Sequence, residues 1–250
     1  MFFSDVADAY RRTRKPKDIV WNRFVARPLA AVFLVPLART RITPNQITFL
    51  TLVIFAGGAA LLALVPGWRA LILGAAILEL SYVFDCVDGQ LARLKRMSSP
   101  VGAHLDFLMD ELKAFVLVAA VGARLWLGSG DARFLLEALL GLVAVASAIS
   151  LTTFVRRPEY AAATGASVGH GAGDYGEGFA ADDATVAPKN WSPMRAVESL
   201  GKFLAHYPSY ILFVAAANRI DLFLHVYVAI NAAYAARALL GVTIKLGRSA

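Results

Sequence analysis

The sequence predicts an all-α integral membrane bundle of six transmembrane helices, preceded by an N-terminal interfacial amphipathic helix. Three observations carry that prediction. The 250 residues are 58% hydrophobic with a mean hydropathy of +0.58, more apolar than soluble domains usually are. The apolar residues fall in runs of about twenty, enough at 1.5 Å per residue to cross a bilayer. Lys and Arg gather on one side of those runs, as the positive-inside rule describes.

Residues 1–45 form a basic N-terminal part. Within it, 18–38 read as a separate interfacial helix, because Trp21, Phe24, Val25 and Pro28 recur at i, i+3, i+4 and i+7. Asn22, Arg23 and Arg27 fall on its other faces. The apolar run from Pro28 to Ala38 is too short to span. A membrane domain over 46–250 then holds spans at 46–66, 69–93, 102–127, 132–155, 199–218 and 220–244. Thr43-Pro44-Asn45-Gln46-Ile47-Thr48 opens the first span as a capping box, with Thr43 at N-cap, Pro44 at N1 and Gln46 at N3. Capping leaves Asn45 and Thr48 without a role. Residues 157–198 are the only long polar stretch and read as a cytoplasmic loop. Its run from Gly171 to Gly176 fits the spacing of a dinucleotide-binding turn, yet no strand precedes it and no βαβ unit surrounds it.

In this layout nine Lys and Arg precede the first span, and Arg93, Lys95 and Arg96 gather at the turn between the second and third. The opposite side holds only Arg69, Arg124, Arg133 and Arg219. Both termini and that turn are therefore expected on the cytoplasmic side of a bacterial or archaeal cell membrane. No secretory signal peptide is expected, since a basic segment precedes the first apolar run and no cleavage-like site follows. The net charge of +7 suits anionic lipid headgroups, and no nucleic-acid motif accompanies it. Cys86, the single cysteine, excludes an intrachain disulfide and reads as a packing residue.

Four aspartates interrupt the apolar sequence as Asp85-x2-Asp88-Gly89-x2-Ala92-Arg93-x8-Gly102-x3-Asp106-x3-Asp110. On helices, Asp85 and Asp88 share one face, as do Asp106 and Asp110. The polar residues from Leu94 to Val101 suit a short turn, so an antiparallel hairpin brings the two pairs together. Four carboxylates at membrane depth need cationic partners. Lys113 and Arg93 offset two charges, whereas two divalent ions neutralise all four, and carboxylate oxygens suit Mg2+ or Mn2+. Glu79, in mid-span, would be stabilised most cheaply by a buried pair with Lys113. His104, His170, His206 and His225 read as satisfied polar side chains. By residues alone, buried salt bridges, a cation-coupled transporter and a silent scaffold stay open beside catalysis.

At every fixed position the aspartate motif resembles that of the CDP-alcohol phosphotransferase family, intramembrane enzymes that make phospholipid head groups. The resemblance implies that the phosphoalcohol of a CDP-alcohol, first among them CDP-diacylglycerol, passes to an acceptor hydroxyl with release of CMP. Inositol phosphate and glycerol phosphate are among the acceptors it allows. It implies Asp85, Asp88, Asp106 and Asp110 as ligands of two ions, Mg2+ or Mn2+, with Asp110 also the general base. Asn45, Thr48, Asp85, Asp88, Gly89, Ala92, Arg93 and Gly102 would bind the CDP-alcohol; Asn45 and Thr48 belong to a segment resembling the family's TPNxxT element. Arg156, Arg157 and Glu159 resemble the Arg-x-Glu of phosphatidylglycerol- and phosphatidylinositol-type members, although Pro158 holds the middle position. That makes Arg156 and Arg157 acceptor-binding candidates. Asn22-Arg23 ahead of the TPN element resembles members that join two inositol-phosphate units, without the fused cytidylyltransferase domain. A homodimer in the bilayer is implied as well.

Overall fold

The computed structural model describes residues 2–15, 18–165, 200–201 and 203–249, and among these all regular structure is helical. In chain order the helices are α1 (Phe2–Thr13), α2 (Arg27–Ala38, entered through a π turn at Asn22–Ala26), α3 (Pro44–Leu64), α4 (Trp68–Leu94), α5 (Pro100–Ser129), α6 (Arg133–Val155), α7 (Pro158–Thr164), α8 (Ile211–Ala216) and α9 (Ile220–Ser249). Five of them, α3 to α6 and α9, are long and apolar enough to cross a membrane. The chain is an all-α integral membrane bundle. The glycine-rich run 171–176, His170 and most of the expected 157–198 loop lie outside the described residues.

One expected span does not form as a single helix. Across 199–218 the described residues give a short helical piece, a 3-10 turn at Tyr207–Ser209 and then α8. Pro208 explains the break, since it has no N–H to give and its ring clashes with the preceding turn. Local bonds replace part of what is lost: Ser209 N–H donates to His206 O at 3.0 Å, and His206 Nδ1 meets Ser209 Oγ at 2.6 Å. Irregular backbone at membrane depth is tolerated where it borders a cavity, and His206, Tyr207 and Pro208 all line one.

Between membrane helices there is little hydrophobic drive, so close backbone packing must hold them together. The α3–α4 contact shows how. A Cβ added at Gly74 would stand 2.7 Å from Leu62 Cβ and 2.9 Å from its backbone N, and one at Gly58 would stand 2.8 Å from Ile77 Cγ2. Only glycine permits this approach. α3 packs against both arms of the α4–α5 hairpin, whose backbones stay apart and meet through long side chains. The core joins Phe55 and Leu62 of α3, Leu71 and Leu78 of α4, Leu117 of α5, and Phe223 and Leu224 of α9.

A second cluster sets Ala30 and Leu34 of α2 against Ile47, Val87 and Leu91, with Cys86 buried among them as a packing residue. In the N-terminal segment the apolar face points outward and polar side chains turn in. Asn22 and Arg27 are buried, while Phe24 is 69% exposed. Asp18 explains the polar inner face: it pairs with Arg27 and accepts from Asn22 Nδ2 at 3.1 Å. Both polar side chains can therefore face inward, leaving Phe24, Leu29, Val32 and Phe33 outward, where they suit a lipid interface. α1, which the sequence reading left as basic chain, packs on α2 and α4.

Candidate active site

The hairpin is fixed at its turn. Arg96 takes a left-handed conformation, φ 55°, and closes α4 with two bonds, Arg96 N–H to Arg93 O at 3.3 Å and Met97 N–H to Ala92 O at 2.8 Å. This is the Schellman arrangement with arginine in the place usually held by glycine. Ser99 then caps α5, its Oγ accepting from Gly102 N–H at 3.0 Å. Lys95 Nζ clamps the turn to the α2–α3 connection through Thr40 O and Ile42 O, at 2.8 and 2.9 Å. The helical registers of both arms are thereby set relative to each other.

Register then decides which carboxylates converge. Asp85 and Asp88 from α4 and Asp106 from α5 each present one oxygen, all within 4.8 Å of one another. Asp88 is buried, and Thr48 Oγ1 lies 2.6 Å from its Oδ2. Asp106 Oδ1 is buried with no hydrogen-bond partner among the described residues. Three converging carboxylates, one with an unfilled buried oxygen, are a hard-oxygen donor set for a divalent cation. The fit is good on these residues alone.

Asp110 stands apart from that cluster. Lys113, 2% exposed, pairs with Asp85 and donates to Asp110 Oδ1 at 3.1 Å. One ammonium thus bridges one carboxylate from each arm. The expected Glu79–Lys113 pair does not form, because Asp85 and Asp110 take the ammonium. Among the described residues neither Glu79 Oε1 nor Trp21 Nε1, both buried, has a partner at good hydrogen-bond geometry.

The remaining motif residues fall around this centre. Asp85, Asp88, Gly89, Arg93, Asp106, Asp110 and Lys113 line a cavity of about 220 Å³. A Cβ at Gly89 would meet only the Arg93 guanidinium, at 3.6 and 3.8 Å, so packing does not demand glycine there. Arg93 Nε donates to Thr13 O at 2.9 Å, and its Nη2 is buried without a partner among the described residues. Asn45 approaches Gly102, whose added Cβ would lie 3.4 Å from Asn45 Oδ1. Asn45, Thr48, Ala92 and Gly102, expected to bind the CDP-alcohol, are not among the residues that line the cavity. Arg156 and Arg157 also lie off the lining, with the Arg156 guanidinium 5.4 Å from the centre of the Phe107 ring.

Much of the cavity comes from residues that the motif does not name. Tyr82 donates to Asn22 Oδ1 at 2.7 Å and meets His206 Nε2 at 2.8 Å. His206 is satisfied, as expected, and so is His225, whose Nδ1 lies 2.6 Å from Glu137 Oε1. Tyr227, Asn231 and Tyr234 bring α9 to the cavity. Their spacing of i, i+4 and i+7 in an apolar span was the available signal.

Fold and site together define a helical membrane protein with an intramembrane carboxylate centre fitted for divalent metal. Residues 41–172, just over half of the chain, match the CDP-alcohol phosphatidyltransferase family, and the chain belongs to that family. It is also 33% identical over 117 residues, 47% of its length, to a bifunctional IPC transferase and DIPP synthase of Rubrobacter xylanophilus. A protein of the same name from Aquifex aeolicus is 28% identical over 109 residues, 42% of this chain. Each match spans about 24% of the relative's own length.

Proposed function

We propose that the protein transfers the phosphoalcohol of a CDP-alcohol, CDP-diacylglycerol foremost, to an acceptor hydroxyl and releases CMP. The observation that carries this is the convergence of Asp85, Asp88 and Asp106 within 4.8 Å, beside a cavity that Asp110 also lines. Asp85, Asp88 and Asp106 would hold two Mg2+ or Mn2+ ions, with Asp110 completing the set by family resemblance. When bound, such ions neutralise diphosphate charge that builds up as the phosphoryl group moves.

The chain's own residues do the rest. Asp110 takes the proton of the acceptor hydroxyl as its oxygen bonds to the donor phosphorus and the bond to CMP breaks. Lys113, donating to Asp110 and paired with Asp85, holds both carboxylates in orientation. Thr48 fixes the rotamer of Asp88 through its 2.6 Å hydrogen bond. Gly89 leaves room for the nucleotide against the α4 backbone, and Arg93 turns an unfilled N–H towards its phosphates. Asn45, Ala92 and Gly102 belong to the CDP-alcohol site by family resemblance.

For the acceptor, inositol phosphate and glycerol phosphate are the leading candidates. Arg156 and Arg157 at the end of α6 would meet the phosphate of either. The site faces the cytoplasm in this proposal, supported by the one-sided Lys and Arg distribution. A homodimer completes it on the family resemblance. The test is to incubate membranes containing the protein with labelled CDP-diacylglycerol and a panel of acceptors, then identify the lipid product. A phosphodiester with CMP released in equal amount is expected. Cation-coupled solute flux without CMP would instead establish the transporter alternative.

A further inference from the structure

The cavity has two chemically different walls. On one, the N-terminal segment and α4 contribute the cations Lys15, Arg27 and Arg93. On the other, α9 packs against α5 and α6 and contributes Tyr227, Asn231 and Tyr234, none of which carries charge at neutral pH. The carboxylates of α4 and α5 stand on the lining shared by these walls.

The neutral wall is a built surface. Asn231 Nδ2 donates to Tyr227 O at 2.8 Å, which fixes the amide. Tyr234 OH lies 3.1 Å from Thr152 Oγ1, which ties the stripe to α6. Tyr227 is stacked on Phe223 with ring centres 5.3 Å apart. Three held polar side chains in a lipid-spanning helix are costly unless they meet polar partners. Thr152 lies one turn before Arg156 on α6, so the stripe leads towards the arginine proposed to meet an acceptor phosphate.

We infer that Tyr227, Asn231 and Tyr234 form the acceptor subsite, and that they read the hydroxyl groups of a polyol. This deepens the proposed function and rests on it. The chemistry distinguishes a polyol from a quaternary ammonium alcohol. Tyrosine rings alone could take either, but Asn231, at the centre of the stripe, offers amide hydrogen bonds that a trimethylammonium group cannot fill. A ring bearing several hydroxyls fills them, and one of its oxygens then lies within reach of Asp110 on the same lining.

The experiment compares purified wild type with Tyr227→Phe, Asn231→Ala and Tyr234→Phe. CMP release is measured from CDP-diacylglycerol with myo-inositol, inositol 1-phosphate, glycerol 3-phosphate and choline. Each substitution should raise the KM of the polyol acceptor about three- to tenfold, the worth of one neutral hydrogen bond, with the donor KM unchanged. A shift in donor KM alone, or choline as the preferred acceptor, overturns the subsite. Saturation-transfer NMR of inositol 1-phosphate on the same proteins keeps the two readings separable. Signal in wild type that is lost in Asn231→Ala supports the subsite even where no CMP forms, in which case the transfer reaction is what fails. Equal signal in both proteins overturns the subsite.

Discussion

The α4–α5 hairpin and the N-terminal segment both bury charge, and they do so by opposite means. In the hairpin, spacing along two helices decides which carboxylates converge, and Lys113 lies on the same arm as Asp110, one turn on. In the N-terminal segment the partners are set by the folded chain: Asp18 reaches Arg27, and Asn22 is held by Tyr82 of α4. The first kind of burial can be read from a pattern of intervals. The second needs a three-dimensional contact that no interval encodes. Substitutions in the two regions should therefore fail differently, the hairpin in chemistry and the N-terminal segment in stability.

The largest effect should come from the hairpin. Asp110→Asn keeps the shape and removes the base, so turnover should fall about a hundred- to ten-thousandfold while donor binding is partly retained. Wild-type turnover in Asp110→Asn would place the proton elsewhere. In the N-terminal segment, Asp18→Ala leaves the Arg27 guanidinium buried and unpaired, at a cost of about 3–5 kcal/mol. Denaturation in detergent should show it, and the double variant Asp18→Leu/Arg27→Met should regain most of the loss. If Asp18→Ala is as stable as wild type, the ion pair does not hold α2 in place.

Gly89 sharpens the contrast, because there the hairpin should lose binding without losing its fold. The space around it admits a Cβ, and leucine is the better helix former. Gly89→Leu should therefore fold normally and bind the CDP-alcohol about ten- to a hundredfold more weakly, the usual 1–3 kcal/mol of overpacking. Unchanged donor affinity in a folded Gly89→Leu protein would mean that nucleotide and backbone are not close. The smallest effect is expected at Arg157, which is exposed. Arg157→Ala should raise the KM of a phosphorylated acceptor about three- to tenfold and leave the donor KM alone. A donor-only defect would move Arg157 to the nucleotide side.

What the sequence made legible follows the same division. Four spans were placed within a few residues of α3 to α6, because length and hydropathy are properties of a single segment. The convergence of Asp85, Asp88 and Asp106 was legible because i,i+3 spacing and a short turn constrain it. The break at Tyr207–Ser209 was not, since a hydropathy window averages over the one residue, Pro208, that decides it. The outward apolar face of the N-terminal segment was legible in its periodicity, whereas the burial of Asn22 and Arg27 was not, because it depends on Asp18. The role of Lys113 was half legible: a cation was required, but which carboxylates would win it depended on where α4 and α5 stand in space.

If the hairpin carboxylates bind divalent metal as proposed, CMP release depends on it. The direct measurement is CMP formation from CDP-diacylglycerol and acceptor by purified protein, with Mg2+ or Mn2+ and with excess chelator, for wild type and Asp88→Asn. The account predicts release only with metal present, restored on adding metal back, and absent in Asp88→Asn under both conditions. Undiminished release in excess chelator, or by Asp88→Asn, would contradict it.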